Sequence, residues 1–269
     1  MKTWLDLTDD FPVRFDVQRM RTDLARLTES DTWLSHYDTG LSTAWRAILL
    51  RSKQGQTSGP ESQRPSWDFS DFRPTEYVER LPYFREILEQ MHCPQGRIRI
   101  LRLAPGGGIG EHRDVGAEVG CLAFRQVRLH VPIITNDKVT FFVGGERIRM
   151  QTGRLYYVNF SKRHYVRNDG DEARIHLVMD VKVNDWLAQY FPQFTAWEKV
   201  ENAVARATWP TYWRARQVRV RAERQFWQHY EGSRLQAIRH RLRGDHRVAT
   251  IPPAARSDTA PRSPRTPAP

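Results

Sequence analysis

The sequence predicts a mainly β fold, a sandwich or barrel of short strands flanked by helices, on three observations. Residues 97–181 hold seven short β-type runs: RIRILRLA (97–104), VRLHVPII (127–134), VTFFV (139–143), RIRM (147–150), RLYYVNF (154–160), HYVRN (164–168) and ARIHLVMDV (173–181). Turn signals punctuate them at Thr135-Asn136-Asp137, Gly144-Gly145-Glu146 and Asn168-Asp169-Gly170-Asp171. No helical pattern intervenes, which argues against a parallel α/β sheet.

The flanks read differently. In VQRMRTDLARLTES, Val17, Met20, Leu24 and Leu27 recur near a 3.6-residue period, so an amphipathic helix is expected there. Residues 52–66 are a polar Gly/Ser/Pro-rich loop, expected at the edge of a pocket. A second helix is expected over 76–91, with a start after Pro82 as the alternative. Helical character returns at 184–200 and, laced with arginine, at 209–243. The Pro/Ala/Arg/Ser-rich string after residue 248 is expected to be disordered.

The 269-residue chain is 39% hydrophobic and 11% aromatic, enough for a buried core. It has no apolar run of the ~20 residues a membrane span needs. No apolar leader follows Met1, and Cys93 and Cys121 form no C-x-x-C pair, so a cytoplasmic location is expected. The net charge of +11 resides mostly in residues 201–269, whose fourteen arginines and five acids give +9. Residues 206–247, with Trp213, Phe226, Trp227 and Tyr230, therefore read either as a helix packed on the body by its aromatics or as a nucleic-acid-binding arm.

The chemistry centres on APGGGIGEHRDVG, residues 104–116. Glu111 stands where G-x-G-x-x-G needs its third glycine, and no Lys-Ser/Thr completes a P-loop, so the glycines read as a turn. His112 and Asp114 are i, i+2 and share one side of an extended segment, two-thirds of a facial two-histidine, one-carboxylate iron site. His164 and His176 are both candidates for the missing histidine. On the last strand Arg174, His176, Val178 and Asp180 share a face, as do Arg128, His130 and Pro132 on VRLHVPII. Inward-facing Arg128 and Arg174 would need an anion such as a dicarboxylate; the alternative is solvent exposure or pairing with acids.

The runs LRLAPGGGIGEHRD, RLHVPIITN and GRLYYVNFSKRHYVRNDGDEARIHLVMD resemble the aspartyl/asparaginyl β-hydroxylase family over about residues 45–187. The resemblance implies a double-stranded β-helix (cupin or jelly-roll) fold and an oxygenase that uses Fe(II) and 2-oxoglutarate. Position by position, it implies His112, Asp114 and His164 as metal ligands. The carboxylate at Asp114 matches bacterial hydroxylases of the group, whereas the best-known animal members lack it. It implies Arg174 for the distal carboxylate of 2-oxoglutarate, with Arg128 and His130 near the other end, and leaves His176 structural. Leu101 stands where animal members use a co-substrate serine, and Gln126 where they use a substrate-binding arginine. Specificity for acidic residues therefore does not transfer.

The expected organisation is a helical segment over 1–45, the oxygenase domain over 46–200, a basic helical extension over 201–247 and a disordered tail over 248–269. The expected reaction consumes O2 and 2-oxoglutarate and hydroxylates an amino acid, free or within a peptide, protein or metabolite. The alternatives are a non-catalytic cupin binding module and a nucleic-acid-associated protein acting through its basic arm.

Overall fold

Strand alternation organises the molecule around two antiparallel sheets. The computed structural model describes residues 2–27, 33–35, 45–59, 68–114 and 122–200, together with 62, 66, 202–204, 206–208, 211, 214, 215 and 218. In chain order its elements are β1 (Trp4–Asp6), α1 (Val17–Leu24), β2 (Leu34–Ser35), β3 (Trp45–Lys53), β4 (Phe72–Pro74), α2 (Glu76–Arg80), α3 (Pro82–Gln90), β5 (Gln95–Leu103), β6 (Gly108–His112), β7 (Gln126–Ile134), β8 (Val139–Val143), β9 (Glu146–Arg147), β10 (Tyr156–Val158), β11 (His164–Asn168), β12 (Arg174–Lys182) and α4 (Asp185–Ala188). The larger sheet runs β1-β10-β7-β12-β5-β3-β2, with β4 also paired to β3; the smaller runs β6-β11-β8-β9. Such a two-sheet antiparallel arrangement is a cupin-type jelly roll, mainly β as the sequence implies.

The period of two divides the larger sheet into two apolar faces. Ile98, Ile100, Val127, Leu129, Val131, Leu177, Met179 and Val181 pack on one side with Met20, Tyr77, Phe84 and Ile87 from the helices. On the other side Trp45, Ala47, Leu101, Leu103, Tyr156, Val158 and Val178 meet Phe141, Val143 and Val166 of the smaller sheet. Each such side chain, fully buried, contributes roughly 1.5–3 kcal/mol. Arg97, Arg99, His130, Arg174, His176 and Asp180 are buried as well, and strand parity puts them on this second, interior face.

Several boundaries differ from expectation for local reasons. The pattern over 76–91 forms two helices, because Pro82 cannot continue α2 and Leu81 leaves the helical region (φ −121°, ψ 76°). Leu81 offers no side-chain cap, so Asp23 of α1 reaches across and accepts from the backbone N–H groups of Tyr83 (2.8 Å) and Phe84 (3.1 Å). RIRM pairs only at its start, although Ile148 and Met150 are buried. β1 and β3 are not among the strands read from sequence. β1 is three residues long and pairs with β10; β3 is buried on both faces and shows little polar alternation. Residues 184–200 form α4 and, after a break, a second helical stretch at 196–200. Trp213, Phe226, Trp227, Tyr230, most of 201–247 and the whole 248–269 tail lie outside the described residues.

Candidate metal centre and anion pocket

The glycine-rich turn leads into the strand that carries His112. Gly106 takes φ +70°; its N–H donates to Asn168 O (2.8 Å), and Asn168 N–H donates back to Gly107 O (2.8 Å), pinning the turn to the end of β11. β6 then runs antiparallel to β11 with His112 directly opposite His164, so both imidazoles emerge on one face with ring centroids 4.2 Å apart. Asp114 follows two residues later, and its N–H donates to Phe160 O (3.2 Å). Its Oδ1 lies 3.6 Å from His112 Nε2 and 3.8 Å from His164 Nε2, and one donor atom from each of the three residues falls within 4.8 Å of the others.

Tautomers follow from the neighbours. His112 Nδ1 lies 2.8 Å from Gly110 O and His164 Nδ1 3.0 Å from Lys162 O. A carbonyl only accepts, so each Nδ1 carries the proton and each Nε2 lone pair faces the carboxylate. Burial lowers the His164 pKa to about 4, with Asp114 partly opposing, so this imidazole is neutral near pH 7. Two imidazoles and one carboxylate suit Fe(II) or a similar divalent ion and leave further coordination positions open.

A charged cluster continues behind Asp114. Arg128 donates from Nη1 to Asp114 Oδ2 (2.6 Å), and from Nε and Nη2 to Asp180 Oδ1 (2.6 Å) and Oδ2 (3.3 Å). Asp180 Oδ2 also accepts from Arg97 Nε (3.3 Å) and Nη2 (3.2 Å), with Arg99 Nη2 at 3.8 Å. Burial pushes both carboxyls up, but the surrounding cations outweigh it. Arg128, joined by His164 and His112 in acid where they carry charge, holds Asp114 below its ordinary value, and Arg128, Arg97 and Arg99 hold Asp180 well below.

Arg174 lies elsewhere on the interior face, between the Trp45 and Phe141 rings at 5.9 and 5.8 Å. Its Nη2 donates to His176 Nδ1 (2.9 Å), which leaves the His176 proton on Nε2. Arg174 Nε and Nη1, His176 Nε2 and both His130 ring nitrogens are buried without a hydrogen-bond partner among the described residues. Burial alone lowers Arg174 to about 9, and burial together with neighbouring cations, Arg174 first among them, depresses His130 and His176 well below the ordinary imidazole range. A buried guanidinium with two idle nitrogens can receive a carboxylate.

The structure thus brings together His112, Asp114 and His164, ties Arg128 to Asp114, and places His130 and Arg174 in the interior. His176, the other candidate for the second histidine, partners Arg174 instead. Leu101 is buried opposite His176 in the ladder, and Gln126 is anchored through Nε2 to Ser66 O (3.1 Å). The roles of Asp180, Arg97 and Arg99 were not read from sequence. Their signal was present: arginine alternates with isoleucine in a central strand, and Asp180 shares the face of Arg174. Pairing across strands is what assigns them.

Comparison with known proteins adds one decisive match and several remote likenesses. The family model for aspartyl/asparaginyl beta-hydroxylase matches residues 14–183. Among solved structures, the chain is similar to an oxidoreductase of the 2OG-Fe(II) oxygenase family from Burkholderia pseudomallei, at TM-score 0.38 and 16% identity over 62% of this chain and 77% of that one. It is also similar to a cupin 2 conserved barrel domain protein from Salinispora arenicola, at TM-score 0.28 and 15% identity over 58% and 93%. A cupin domain from Bordetella pertussis gives TM-score 0.26 and 19% identity over 35% and 88%. By the sequence match, which spans well over half of its length, the chain belongs to the aspartyl/asparaginyl β-hydroxylase family.

Proposed function

We propose that the protein is an Fe(II)- and 2-oxoglutarate-dependent hydroxylase acting on an amino acid or an amino-acid residue of a peptide, protein or metabolite. The observation that carries this reading is the convergence of His112 Nε2, His164 Nε2 and Asp114 Oδ1 in a fold whose interior also holds Arg174 with two nitrogens unused. When bound, iron supplies the activation of O2 that couples decarboxylation of 2-oxoglutarate to substrate oxidation.

The chain's own residues supply placement. His112, Asp114 and His164 hold the metal. Arg174 holds the distal carboxylate of 2-oxoglutarate, kept in register by His176. His130 and Arg128 stand toward the metal end of the co-substrate. The rings of Trp45 and Phe141 flank the guanidinium, keep water from it and strengthen its grip on an anion. A cytoplasmic location belongs to the same reading, since Fe(II) and the unpaired, buried Cys93 suit a reducing compartment.

Anaerobic binding of Fe(II) and 2-oxoglutarate, followed by succinate release in air, tests this. Wild type is expected to bind both and release succinate. His112→Ala is expected to lose metal affinity. Arg174→Ala is expected to keep metal and lose co-substrate affinity by about a hundredfold, since a buried charge partner is worth roughly 2–5 kcal/mol. Failure of wild type to bind 2-oxoglutarate in the presence of metal would falsify the reading. Binding without turnover across a panel of amino acids and peptides would favour the cupin binding module.

A further inference from the structure

The three ligand side chains are held in place by different means. Each histidine is oriented by its own stretch of chain, through the carbonyl two residues before it: Gly110 for His112 and Lys162 for His164. Among the described residues, Asp114 has no such local support for its carboxylate. It lies beyond the end of β6, and its Oδ2 is held across the gap between the sheets by Arg128 of β7. Arg128 in turn is gripped by Asp180, its direct ladder partner on β12, through a two-point fork that uses both carboxylate oxygens. Asp180 is buried (2% exposed) and is itself steadied by Arg97 of β5.

We propose that Asp180 is a positioning residue of the metal centre, acting through Arg128 to fix the Asp114 carboxylate with Oδ2 engaged and Oδ1 turned toward the two histidines. The inference rests on the metal reading above. It makes Asp114 a ligand through one oxygen, because the second is taken by a guanidinium. It also gives Arg128 a place in the metal centre besides its place beside the co-substrate. A guanidinium is suited to this, since it bridges two carboxylates in fixed planar geometry, whereas an ammonium acts as a point charge.

The test is a double-mutant cycle on the full chain, reading Mn(II) affinity by calorimetry and the visible spectrum of the Co(II)-loaded protein. Loss of an outer partner typically costs ten- to a hundredfold in metal affinity. Asp180→Asn, nearly isosteric, is expected to weaken Mn(II) binding about tenfold. It is also expected to move the Co(II) spectrum toward that of Asp114→Ala. In the Asp114→Ala background the same change is expected to alter affinity less than about twofold, because its route to the metal is gone. Arg128→Lys keeps the buried charge and loses the fork; it is expected to behave likewise and carries the cycle if Asp180→Asn does not fold. An unchanged affinity in these single variants, or an equal loss in both backgrounds, overturns the proposal. If Asp114→Ala alone binds Mn(II) as tightly as wild type, the metal reading itself fails, and that outcome is seen without any change at Asp180.

Discussion

Arg174 and Arg128 are both inward-facing arginines, yet they differ in what neutralises them. Arg128 is matched by two carboxylates, whereas among the described residues Arg174 has only the neutral His176 as a hydrogen-bond partner. An uncompensated buried charge destabilises the fold until an anion arrives. Arg174→Met is therefore expected to raise the stability of the ligand-free protein by about 1–2 kcal/mol, roughly 2–6 °C in Tm for a domain of this size. Saturating 2-oxoglutarate with metal should reverse the order, since only wild type gains binding energy. Thermal shift with and without ligand checks both halves, and a lower Tm for the ligand-free variant would contradict the first.

The buried imidazoles give a pH signature. His130 and His176 have pKa values pushed far below the unfolded value near 6.5 by burial and neighbouring cations, and burial lowers His164 to about 4. Below pH 6.5 the unfolded chain binds more protons than the native one, so stability falls as pH falls. The slope approaches about 1.4 kcal/mol per pH unit for each such histidine. Asp180 has a depressed pKa and contributes stability at every pH above about 4, losing it only in stronger acid. The urea midpoint of metal-free protein is thus expected to be flat from pH 8 to 7 and to drop steadily from 6.5 to 5. A midpoint unchanged down to pH 5 would mean that these imidazoles are not buried neutral.

Among the elements, the β8–β9 hairpin shows how closely a turn can be read. Gly144-Gly145 was expected as a hairpin turn, and Val143 pairs with Glu146 across it, with φ +58° and +88° at the two glycines. A Cβ at Gly145 meets nothing within 4 Å, so Gly145→Ala is expected to cost only the conformational penalty, about 1–2 kcal/mol. At Gly144 a Cβ would also lie 2.9 Å from Lys162 Cδ and 3.2 Å from Thr3 Cγ2, so Gly144→Ala is expected to cost more. Chemical denaturation of the two variants checks the order. Other elements were less legible: the helix predicted over 76–91 is two helices, and its second half depends on Asp23, sixty residues earlier, for its cap. Local pattern cannot name a capping group from another element.

At the scale of the whole molecule, the site residues, both sheets and the family match all lie before residue 200. No helix among the described residues is long and apolar enough to cross a membrane. Of the basic extension, the described contact is Arg206 Nη1 donating to Ala123 O (3.2 Å), beside the start of β7. A chain ending at residue 218 keeps that contact and is expected to bind Mn(II) and 2-oxoglutarate within about twofold of the full chain. Titrating both with single-stranded nucleic acid at two salt concentrations assigns the arm: salt-sensitive binding by the full chain alone would reveal an arm that holds phosphate. Loss of metal or co-substrate binding on truncation would instead make the extension part of the oxygenase fold.

The sequence by itself determined the features with short-range physical causes. Alternation wrote the strands of 97–181, glycine and asparagine marked their turns, and the i, i+2 spacing put His112 and Asp114 on one side of an extended segment. The family resemblance then singled out His164. Only the tertiary structure decided which of His164 and His176 stands opposite His112, because strand register sets that and a pattern within one strand carries no register. It also decided which arginine is paired with carboxylates and which, among the described residues, is not. That choice depends on carboxylates brought in from other strands, and Asp180 reaches Arg128 across fifty-two residues of sequence. The glycine-rich turn was legible as a turn; the grouping of His112, Asp114 and His164 that it leads into exists only because strand register sets β6 beside β11.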